Sequence, residues 1–374
     1  MHVSFWEKES FYNAIDYAII GSGIVGLSAA IELKNKYPKA KVVVLEKGFL
    51  PSGASTKNAG FACFGSPTEI LDDLSIMSEE EVFAMVKKRW EGLLNLKALL
   101  GEDNLGYEAL GSCELFTAAD EAIYENTVNK LDDLNTFLKP IFGEAVFEVN
   151  DELIKEFGFA NISHIISNKF EGQINTGKAL KSLLNLAQEK GVEILNGVYV
   201  KTLQQETGKV IITLANFSIE SKKVLVATNG FAKQILPELN VEPARAQVLI
   251  TEPIKDLKLK GTFHYEQGYY YFRNVGNRVL FGGGRNLAKK EENTSAINLT
   301  ATIQNKLDQL LNEVILPDNK KVKVEMRWAG IMGVGDTKTT IVKQLDESIF
   351  CAVRMGGMGI AIGSVIGKEA AQLL

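Results

Sequence analysis

The stretch YAIIGSGIVGLSAA, residues 17–30, joins a short apolar run to a burst of glycines and a helix-forming segment. Residues Asp16–Ile20 are typical of a strand that is covered on both faces. Gly21, Gly23 and Gly26 follow in G-x-G-x-x-G spacing. In this spacing the first glycine permits a tight turn, the second lets the backbone approach a pyrophosphate, and the third lets helix and strand pack closely. The stretch therefore predicts a dinucleotide-binding turn.

A second predicted strand, AKVVVLEKG, ends in Glu46, about 20 residues after the last glycine, as this motif requires. A carboxylate at that position accepts hydrogen bonds from ribose hydroxyls. No arginine follows Glu46 directly, which disfavours a 2′-phosphate and hence NADP. The turn by itself leaves FAD and NAD as alternatives.

A second glycine-containing loop, PSGASTKNAGFACFGSP at residues 51–67, is dense in small residues and hydroxyls. Such a loop lets backbone lie flat against a bulky ligand, with N–H and hydroxyl donors turned toward phosphate and ring. A flexible surface loop is the alternative, but residues 61–64 are too apolar for one. A simple NAD fold would enter another helix here, so the loop favours FAD.

With both loops in place, the chain resembles the FAD-dependent oxidoreductases of the D-amino-acid oxidase type, which include glycine oxidase, monomeric sarcosine oxidase and gamma-glutamylputrescine oxidase. SFWEKESF, GASTKNAGF, EGQINTGKAL, VLVATNG, RAQVLITEPI, YYYFRNVGNRVLFGGGR, MRWAGIMG and GGMGIAIGSVIGKEAAQLL are similar to family segments in the same order. The resemblance implies an α/β fold: a Rossmann-like FAD-binding domain of the GR2-type flavoproteins with a discontinuous α+β substrate domain built on an antiparallel sheet. It implies residues 1–85, 150–230 and 326–374 for the FAD-binding domain, and 86–149 and 231–325 for the substrate domain.

The two loops and the resemblance together predict the residues that contact FAD. Val200 matches a position where family members contact adenine through the backbone. The predicted set is Gly21, Ser22, Gly23, Ile24, Val25, Gly26, Glu46, Lys47, Gly53, Ala54, Ser55, Lys57, Asn58, Ala59, Gly60, Val200, Ala227, Thr228, Asn229, Gly330, Gly357, Met358, Gly359 and Ile360.

GGMGIAIG, residues 356–363, lies just ahead of the predicted closing helix. One interpretation is that its backbone N–H groups and the helix N-terminus point at the pyrimidine end of the flavin and stabilise negative charge on the reduced ring. Close helix packing through glycine is a compatible alternative. Relatives with covalent FAD use a His in the second loop or a Cys in the last one. Lys57 and Asn58 occupy the loop here, and WAGIMGVGD has no Cys, so non-covalent FAD is predicted.

The resemblance implies oxidation of the C–N bond of an amine or amino acid to an imine, with hydride transfer to the flavin. Reoxidation would use dioxygen, giving H2O2, or another acceptor. The lysine thought to help oxygen react in sarcosine-oxidase-like relatives is absent from NRVLFGGGR, which weakens the case for a true oxidase. A dehydrogenase with a quinone or flavoprotein acceptor and a non-catalytic flavin-binding module are the alternatives.

Two groups of side chains are candidates for the catalytic, substrate-contacting role. Tyr269 and Tyr271 share one face of a probable strand, where they line the substrate cavity or pack the sheet. Family members acting on simple amino acids hold the carboxylate with an arginine, but Met332 stands at that position in WAGIMG. Replacements are sought among five arginines. They are Arg245, Arg273, Arg285, Arg327 and Arg354. We favour Arg327 and Arg354 because flavin-loop segments neighbour them, with an ordinary salt bridge as the alternative.

The composition of the chain limits the classes of molecule that the protein is expected to bind. The formal net charge is -5 and basic residues form no run, which disfavours nucleic acid. Cys63, Cys113 and Cys351 lie far apart and the three His do not cluster, so neither a disulfide framework nor a metal site is expected. The N-terminus is charged where a signal peptide would be apolar, and the longest apolar stretch, residues 351–367, is too short for a membrane span. We expect a cytoplasmic enzyme without membrane insertion that acts on a small-molecule amine, and a homo-oligomer is left open.

Overall fold

The computed structural model of the protein describes residues 3–319 and 322–374. Within them the chain forms two eight-stranded sheets and one two-stranded ribbon. The strands are β1 (Ile15–Ile20), β2 (Val42–Glu46), β3 (Phe61–Ala62), β4 (Ser112–Phe116), β5 (Phe147–Val149), β6 (His164–Asn168), β7 (Gly172–Gln173), β8 (Glu193–Asn196), β9 (Val200–Glu206), β10 (Lys209–Leu214), β11 (Ser218–Val226), β12 (Glu242–Thr251), β13 (Thr262–Tyr265), β14 (Tyr270–Val275), β15 (Arg278–Gly283), β16 (Val324–Val334), β17 (Ile341–Gln344) and β18 (Ile349–Val353).

The α-helices alternate with these strands in the first part of the chain and cluster between them later. They are α1 (Phe5–Glu7), α2 (Ile24–Lys36), α3 (Ala54–Lys57), α4 (Pro67–Ile76), α5 (Glu79–Leu100), α6 (Glu102–Leu105), α7 (Glu121–Asn129), α8 (Leu131–Phe142), α9 (Glu152–Phe157), α10 (Thr176–Glu189), α11 (Ala301–Leu310) and α12 (Gly359–Leu373). Short 3-10 turns occur at Ala118–Asp120, Asn229–Gln234 and Arg285–Ala288, and π-helical turns at Lys8–Tyr12 and Leu311–Ile315.

The first sheet has the strand order β17–β18–β11–β1–β2–β8. Strands β18, β11, β1, β2 and β8 run parallel, β17 is antiparallel to β18, and β10 and β9 continue antiparallel from β11. All five residues of β2 are buried, as expected for a parallel strand covered on both faces. This is the Rossmann-like sheet that the sequence predicts.

Glycines let helices approach this sheet and one another closely. A Cβ on Gly26 would lie 2.0 Å from the Gly21 carbonyl oxygen, so α2 passes over the end of β1 at a distance that no side chain permits. A Cβ on Gly367 of α12 would meet the Val25 carbonyl oxygen at 2.5 Å. These approaches bring the N-terminal ends of α2 and α12 to the same region of the fold.

The second sheet has the order β16–β12–β15–β14–β13–β4–β6–β5 and is antiparallel except for the parallel pair β13–β4. Phe263, Phe272 and Phe281 are paired across three neighbouring strands and pack in the core that includes α11. Successive side chains of a strand alternate between faces. The neighbouring row, His264 and Tyr271, therefore lies on the opposite face.

Two strands and one helix do not follow the predicted domain boundaries. β6, within the predicted FAD-binding range 150–230, and β16, which overlaps the start of 326–374, both belong to the second sheet. α5 runs unbroken across the predicted boundary at 85/86. Its Val86 packs in the cluster that includes α8, and its Leu96 packs in the cluster that includes α2 and α12, so one helix contributes to both. A sequence pattern shows which faces of a strand are buried, but not which strand it pairs with.

Candidate active site

A cavity of about 1270 Å³ is lined by residues of both sheets. Pockets for drug-sized ligands measure about 300–1,000 Å³, so this cavity has room for a large ligand with a small one beside it. Every residue predicted to contact the cofactor lines it except Ser22 and Gly26. Ser22 lies behind the wall, where its hydroxyl donates to the Glu46 carboxylate at 2.7 Å. Gly26 serves the close packing of α2 on β1.

The glycine turn presents the N-terminus of α2 to the cavity. Gly21 has a φ of +105°, a conformation that L side chains rarely adopt. A Cβ on Gly23 would meet the Ser55 hydroxyl at 2.9 Å, and that hydroxyl accepts the Ile24 backbone N–H at 3.0 Å. Gly23, Ile24 and Val25 all line the cavity. The N-terminus of this 13-residue helix is an anion-binding position.

Glu46 ends β2 at the cavity wall with its carboxylate held in place. One oxygen accepts the backbone N–H of Ser22 at 3.1 Å and its hydroxyl at 2.7 Å, and the other accepts the Gly48 N–H at 2.9 Å. The side chain is buried yet lines the cavity. A carboxylate fixed beside a dinucleotide turn is suited to ribose hydroxyls.

Hydrogen bonds from Asn58, within the second loop, and from Arg273, in the second sheet, hold the second loop in position. The Asn58 side chain donates to the Ala54 and Ser55 carbonyls, both at 3.0 Å, and accepts the Gly60 N–H at 2.8 Å. Arg273 of β14 donates through Nε to the Ala59 carbonyl. Burial lowers the pKa of Arg273 to about 10. Arg273 therefore joins the two walls of the cavity and is not a free cation within it.

Two polar features of the wall fit a flavin: the N-terminus of α12 and a buried hydroxyl. α12 begins at Gly359, and residues 357–360 line the cavity. The Thr228 hydroxyl also belongs to a cavity-lining residue, and it is buried with no hydrogen-bond partner in the described part of the chain. A helix N-terminus and an orphaned hydroxyl are both suited to polar atoms of a ligand. Together with the glycine turn and Glu46, these groups fit FAD.

The second sheet supplies an aromatic and polar end of the cavity. Tyr269 and Tyr271 both line it, as their shared face predicts, whereas Tyr270 lies in the opposite core. The Tyr271 ring occupies the space over Gly282, where a Cβ would lie 2.7 Å from Cε2 of the ring. The Phe61 ring contacts the Tyr271 ring edge-to-face at 5.7 Å between centroids. Burial raises the pKa of Tyr271 to about 12, so its phenol stays protonated.

Sequence reasoning missed a buried polar cluster behind this end. His264 lines the cavity, and its Nε2 is buried without a partner among the described residues. Its strand neighbour Glu114 accepts the Thr68 backbone N–H at 3.1 Å, and Glu171 accepts the Phe64 N–H at 2.7 Å. Burial raises the pKa of both carboxyl groups. No local sequence signal could reveal this cluster, because its members come from separate parts of the chain: His264 from β13, Glu114 from β4 and Glu171 from the position just before β7.

Arg285 is the arginine that the structure brings to the cavity. It lines the cavity just after Gly284, the residue that follows β15, and its Nε is buried with no acceptor in residues 3–319 and 322–374. Its Nη2 donates to the side chain of Asn293. Burial lowers the pKa of Arg285. Arg285 thus brings a positive charge to the cavity lining, where a guanidinium is a candidate binding group for an anion.

The two arginines favoured from the sequence lie elsewhere, which corrects that expectation. Arg327 donates from Nη2 to the Asp308 carboxylate at 2.7 and 2.9 Å, on the α11 side of the sheet. The cavity is lined by Gly330 and Met332 of the same strand. Both lie an odd number of positions from Arg327, so they point to the opposite face. Ile331, which shares the face of Arg327, also lines the cavity, whereas Arg327 lies farther along the strand and does not. Arg354 is buried, and its guanidinium donates to backbone carbonyls, including that of Asn240 at 3.0 Å.

Comparison with protein families decides the class. The family model described as "FAD dependent oxidoreductase" matches residues 16–373, almost the whole chain. This chain belongs to that family. FAD is therefore the cofactor of this oxidoreductase, and the membership predicted from its motifs is confirmed.

Relatives of this FAD-dependent oxidoreductase span nearly its full length at low identity. The probable oxidoreductase OrdL of Haemophilus influenzae is 23% identical, with 96% of this chain and 82% of that protein covered. The glycine oxidase of Geobacillus kaustophilus is 23% identical, with 84% and 80% covered. The solved structure of L-proline dehydrogenase from P.horikoshii superposes with a TM-score of 0.77 at 19% identity, over 97% of this chain and 94% of that one. The predicted fold class is confirmed.

Two further features are absent from the described residues. None of the helices there is long and apolar enough to cross a membrane. Residues 3–319 and 322–374 also hold no group of three or more His, Cys, Asp or Glu side chains able to bind a metal ion.

Proposed function

We propose that this FAD-dependent oxidoreductase oxidises the C–N bond of a carboxylated amine, such as an amino acid, to an imine. The observation that carries the proposal is Arg285, a cavity-lining arginine whose Nε has no acceptor within the described chain. A guanidinium edge matches a carboxylate with two parallel hydrogen bonds. The relatives named glycine oxidase and L-proline dehydrogenase act, by those names, on amino acids, which supports the same substrate class.

The cavity wall supplied by the first sheet would hold FAD. The N-terminus of α2 suits the pyrophosphate and Glu46 a ribose, whereas Thr228 and the N-terminus of α12 suit polar atoms of the ring system. When bound, FAD accepts the hydride that the carbon next to the substrate nitrogen loses as the C=N bond forms. The predicted non-covalent attachment is retained in this proposal. The nearby thiol of Cys63 has its pKa raised well above the ordinary value by burial, so it stays protonated and a poor nucleophile.

The side chains of the second sheet would bind and orient the substrate. Arg285 neutralises the carboxylate, and the protonated phenol of Tyr271 donates a hydrogen bond to it or to the substrate nitrogen. Phe61 and Met332 add apolar wall, which excludes water and favours the neutral form of the amine. The reaction requires a neutral amine and a held carbon rather than a general acid–base pair. The released imine is hydrolysed by water.

The test uses matched substrates with and without a carboxylate: glycine against methylamine, N-methylglycine against dimethylamine, and proline against pyrrolidine. Each is mixed anaerobically with the purified yellow protein while the flavin absorption bands are recorded. We expect bleaching with carboxylated members only. Arg285→Met should stay yellow but need about a hundredfold more substrate, because a charge-assisted pair is lost. Arg278→Met, a change at an arginine paired with Glu325 outside the cavity, is the control.

Each other outcome corrects a different part of the proposal. Equal bleaching by both members of a pair would remove Arg285 from substrate binding. Flavin bands that no amine bleaches would favour the non-catalytic flavin-binding module. Once a substrate is found, peroxide yield and turnover with and without oxygen separate an oxidase from a dehydrogenase that uses another acceptor.

A further inference from the structure

Arg285 reaches the cavity on a segment that contains neither a strand nor an α-helix. This segment, residues 285–300, follows β15 and is here named the substrate loop. It contributes Arg285, Asn286, Lys289, Ser295 and Ile297 to the cavity lining. Ile297 is 56% exposed, so the loop forms the wall where the cavity meets solvent. A loop without its own ladder of hydrogen bonds must be held by other contacts to keep one position.

A buried ion pair holds the middle of this loop. The Glu292 carboxylate accepts Nε of Arg245 at 2.7 Å and Nη2 at 2.8 Å, and both side chains are almost inaccessible to solvent. The Arg245 backbone N–H donates to the Glu292 carbonyl at 2.8 Å. Nη1 of Arg245 donates to the Ala296 carbonyl at 3.3 Å and to the Asn298 side chain. Arg245 of β12 therefore forms side-chain hydrogen bonds with three residues of the loop, Glu292, Ala296 and Asn298.

The ion pair continues into α11 through uncharged side chains. Gln247 donates to both oxygens of Glu292 at 3.1 Å, and Gln304 of α11 donates to Gln247 at 3.1 Å. Arg327 then donates to Gln304 at 2.6 Å. Burial by itself would raise the pKa of the Glu292 carboxyl, but the hydrogen bonds from Arg245 and Gln247 lower it. A buried polar network whose members are all bonded makes its surroundings rigid.

The Arg245–Glu292 ion pair is connected to Arg285 through two consecutive residues of the loop, Glu292 and Asn293. Arg285 makes its side-chain hydrogen bond to Asn293, which is the residue next to Glu292. We propose that the Arg245–Glu292 ion pair is a positioning device for the substrate: it holds the substrate loop so that the guanidinium of Arg285 lies in the cavity. This inference rests on the role given to Arg285 under the proposed function.

Stability alone does not explain a buried ion pair at this place. Replacing both partners of such a pair with apolar residues of similar size is often neutral or stabilising. An apolar pair would fill the same space, but it would not donate to the loop at Ala296 and Asn298. The charged pair is therefore suited to fixing which residues of the loop lie against β12, because its hydrogen bonds are directional. An apolar contact would not specify those residues.

The first experiment measures how firmly the loop is held and does not depend on the substrate. Arg285, Lys289 and Lys290 are trypsin sites within it. The holoprotein with Arg245→Met and Glu292→Leu together should keep a thermal midpoint near that of the wild type. Trypsin should nevertheless cut it at these three sites at least about tenfold faster, because proteolysis reports local opening. The control is Arg278→Met with Glu325→Leu, a partly exposed pair outside the cavity, for which neither measurement should change.

The second experiment measures the consequence for binding, with acetate as the probe of the carboxylate site. The acetate Kd is read from the perturbed flavin spectrum of the holoprotein. We expect the double variant to raise the Kd, and the KM of a carboxylated substrate, by about tenfold, with kcat within about twofold of the wild type. Asn293→Leu should raise the Kd similarly without faster trypsin cleavage, because only the contact to Arg285 is removed.

The outcomes separate this inference from the proposed function. If the double variant has the wild-type cleavage rate and the wild-type acetate Kd, the inference is overturned. If its thermal midpoint is also lower, the ion pair contributes only to stability. Failure of the wild type to bind acetate, or acetate binding by Arg285→Met with the wild-type Kd, would overturn the role of Arg285 instead. In that case the trypsin rates still decide whether the ion pair holds the loop.

Discussion

The wall of the cavity formed by the first sheet is made largely of backbone, whereas the wall formed by the second sheet is made of single side chains. On the first, a few continuous segments present N–H groups: the glycine turn, the second loop and the start of α12. On the second, His264, Tyr271 and Arg285 come from three different strands or strand ends. A backbone site tolerates most side-chain changes but not a lost glycine. A side-chain site can change its ligand through one substitution without losing the cofactor.

The largest expected effect comes from the backbone wall. Gly26→Val would place a Cβ about where the Gly21 carbonyl oxygen lies, since the two would be 2.0 Å apart. The turn must shift, so we expect complete loss of bound FAD and a free energy of unfolding lowered by about 3 kcal/mol or more. Flavin absorbance per protein and urea unfolding measure the two effects. Gly177→Val, at an exposed helix position with no close contact, is the control, and a yellow, stable Gly26→Val protein would contradict the account of the turn.

A smaller and more selective effect is expected on the side-chain wall. Gly282→Ala would place a Cβ 2.7 Å from the Tyr271 ring and 2.5 Å from the Val248 side chain. The ring must move, so we expect the KM of a carboxylated amine to rise about tenfold at an unfolding free energy lowered by about 1–2 kcal/mol. FAD content should equal that of the wild type. Loss of FAD from this variant would show that the two walls are not independent.

The smallest effect is a pH dependence of stability at this wall. Burial raises the pKa of Tyr271 from 10.0 to about 12, so the folded protein holds the phenol proton more tightly than the unfolded chain. This contribution is fully present below pH 10 and is lost as the pH rises toward 12. At pH 11 the loss is about 1.4 kcal/mol.

Urea unfolding at pH 9, 10 and 11 would measure this dependence. The comparison with Tyr271→Phe isolates the one phenol, because the other buried tyrosines remain in both proteins. The variant should lose less stability over this range than the wild type. Identical slopes would show that the Tyr271 phenol is not desolvated.

Much of the cofactor wall could be predicted because its signals are local. The spacing of Gly21, Gly23 and Gly26 and the carboxylate of Glu46 act through backbone geometry within one strand–helix–strand unit. The shared face of Tyr269 and Tyr271 followed from the two-residue period of a strand. His264 had no such signal, because its surroundings are assembled from strands far apart in the chain.

Arg327 shows where a local argument fails. Proximity to a flavin-loop segment was a sound reason to place its backbone near the cavity, since Gly330 and Met332 do line it. The sequence did not show which face of the strand the Arg327 side chain occupies. Neighbouring side chains of a strand point to opposite faces, and which of them face the cavity depends on which face of the sheet packs against α11. The pairing of β6 and β16 with the second sheet also differs from the grouping implied by the predicted ranges, since strand pairing is a long-range property.

The sequence by itself determined that this chain makes a dinucleotide turn, a second flavin loop and the membership of its family, because glycine spacing and residue order act on neighbouring backbone. Only the tertiary structure decided which of the candidate arginines lines the cavity. Whether a guanidinium is free depends on acceptors that folding brings from elsewhere in the chain. Four of the five candidates donate to acceptors outside the cavity lining or do not line it, whereas Arg285 lines it, bonds Asn293 through Nη2 and keeps its Nε without an acceptor among the described residues. The four are Arg245 with Glu292, Arg273 with the Ala59 and Ile174 carbonyls, Arg327 with Asp308, and Arg354 with the Asn240 and Thr339 carbonyls.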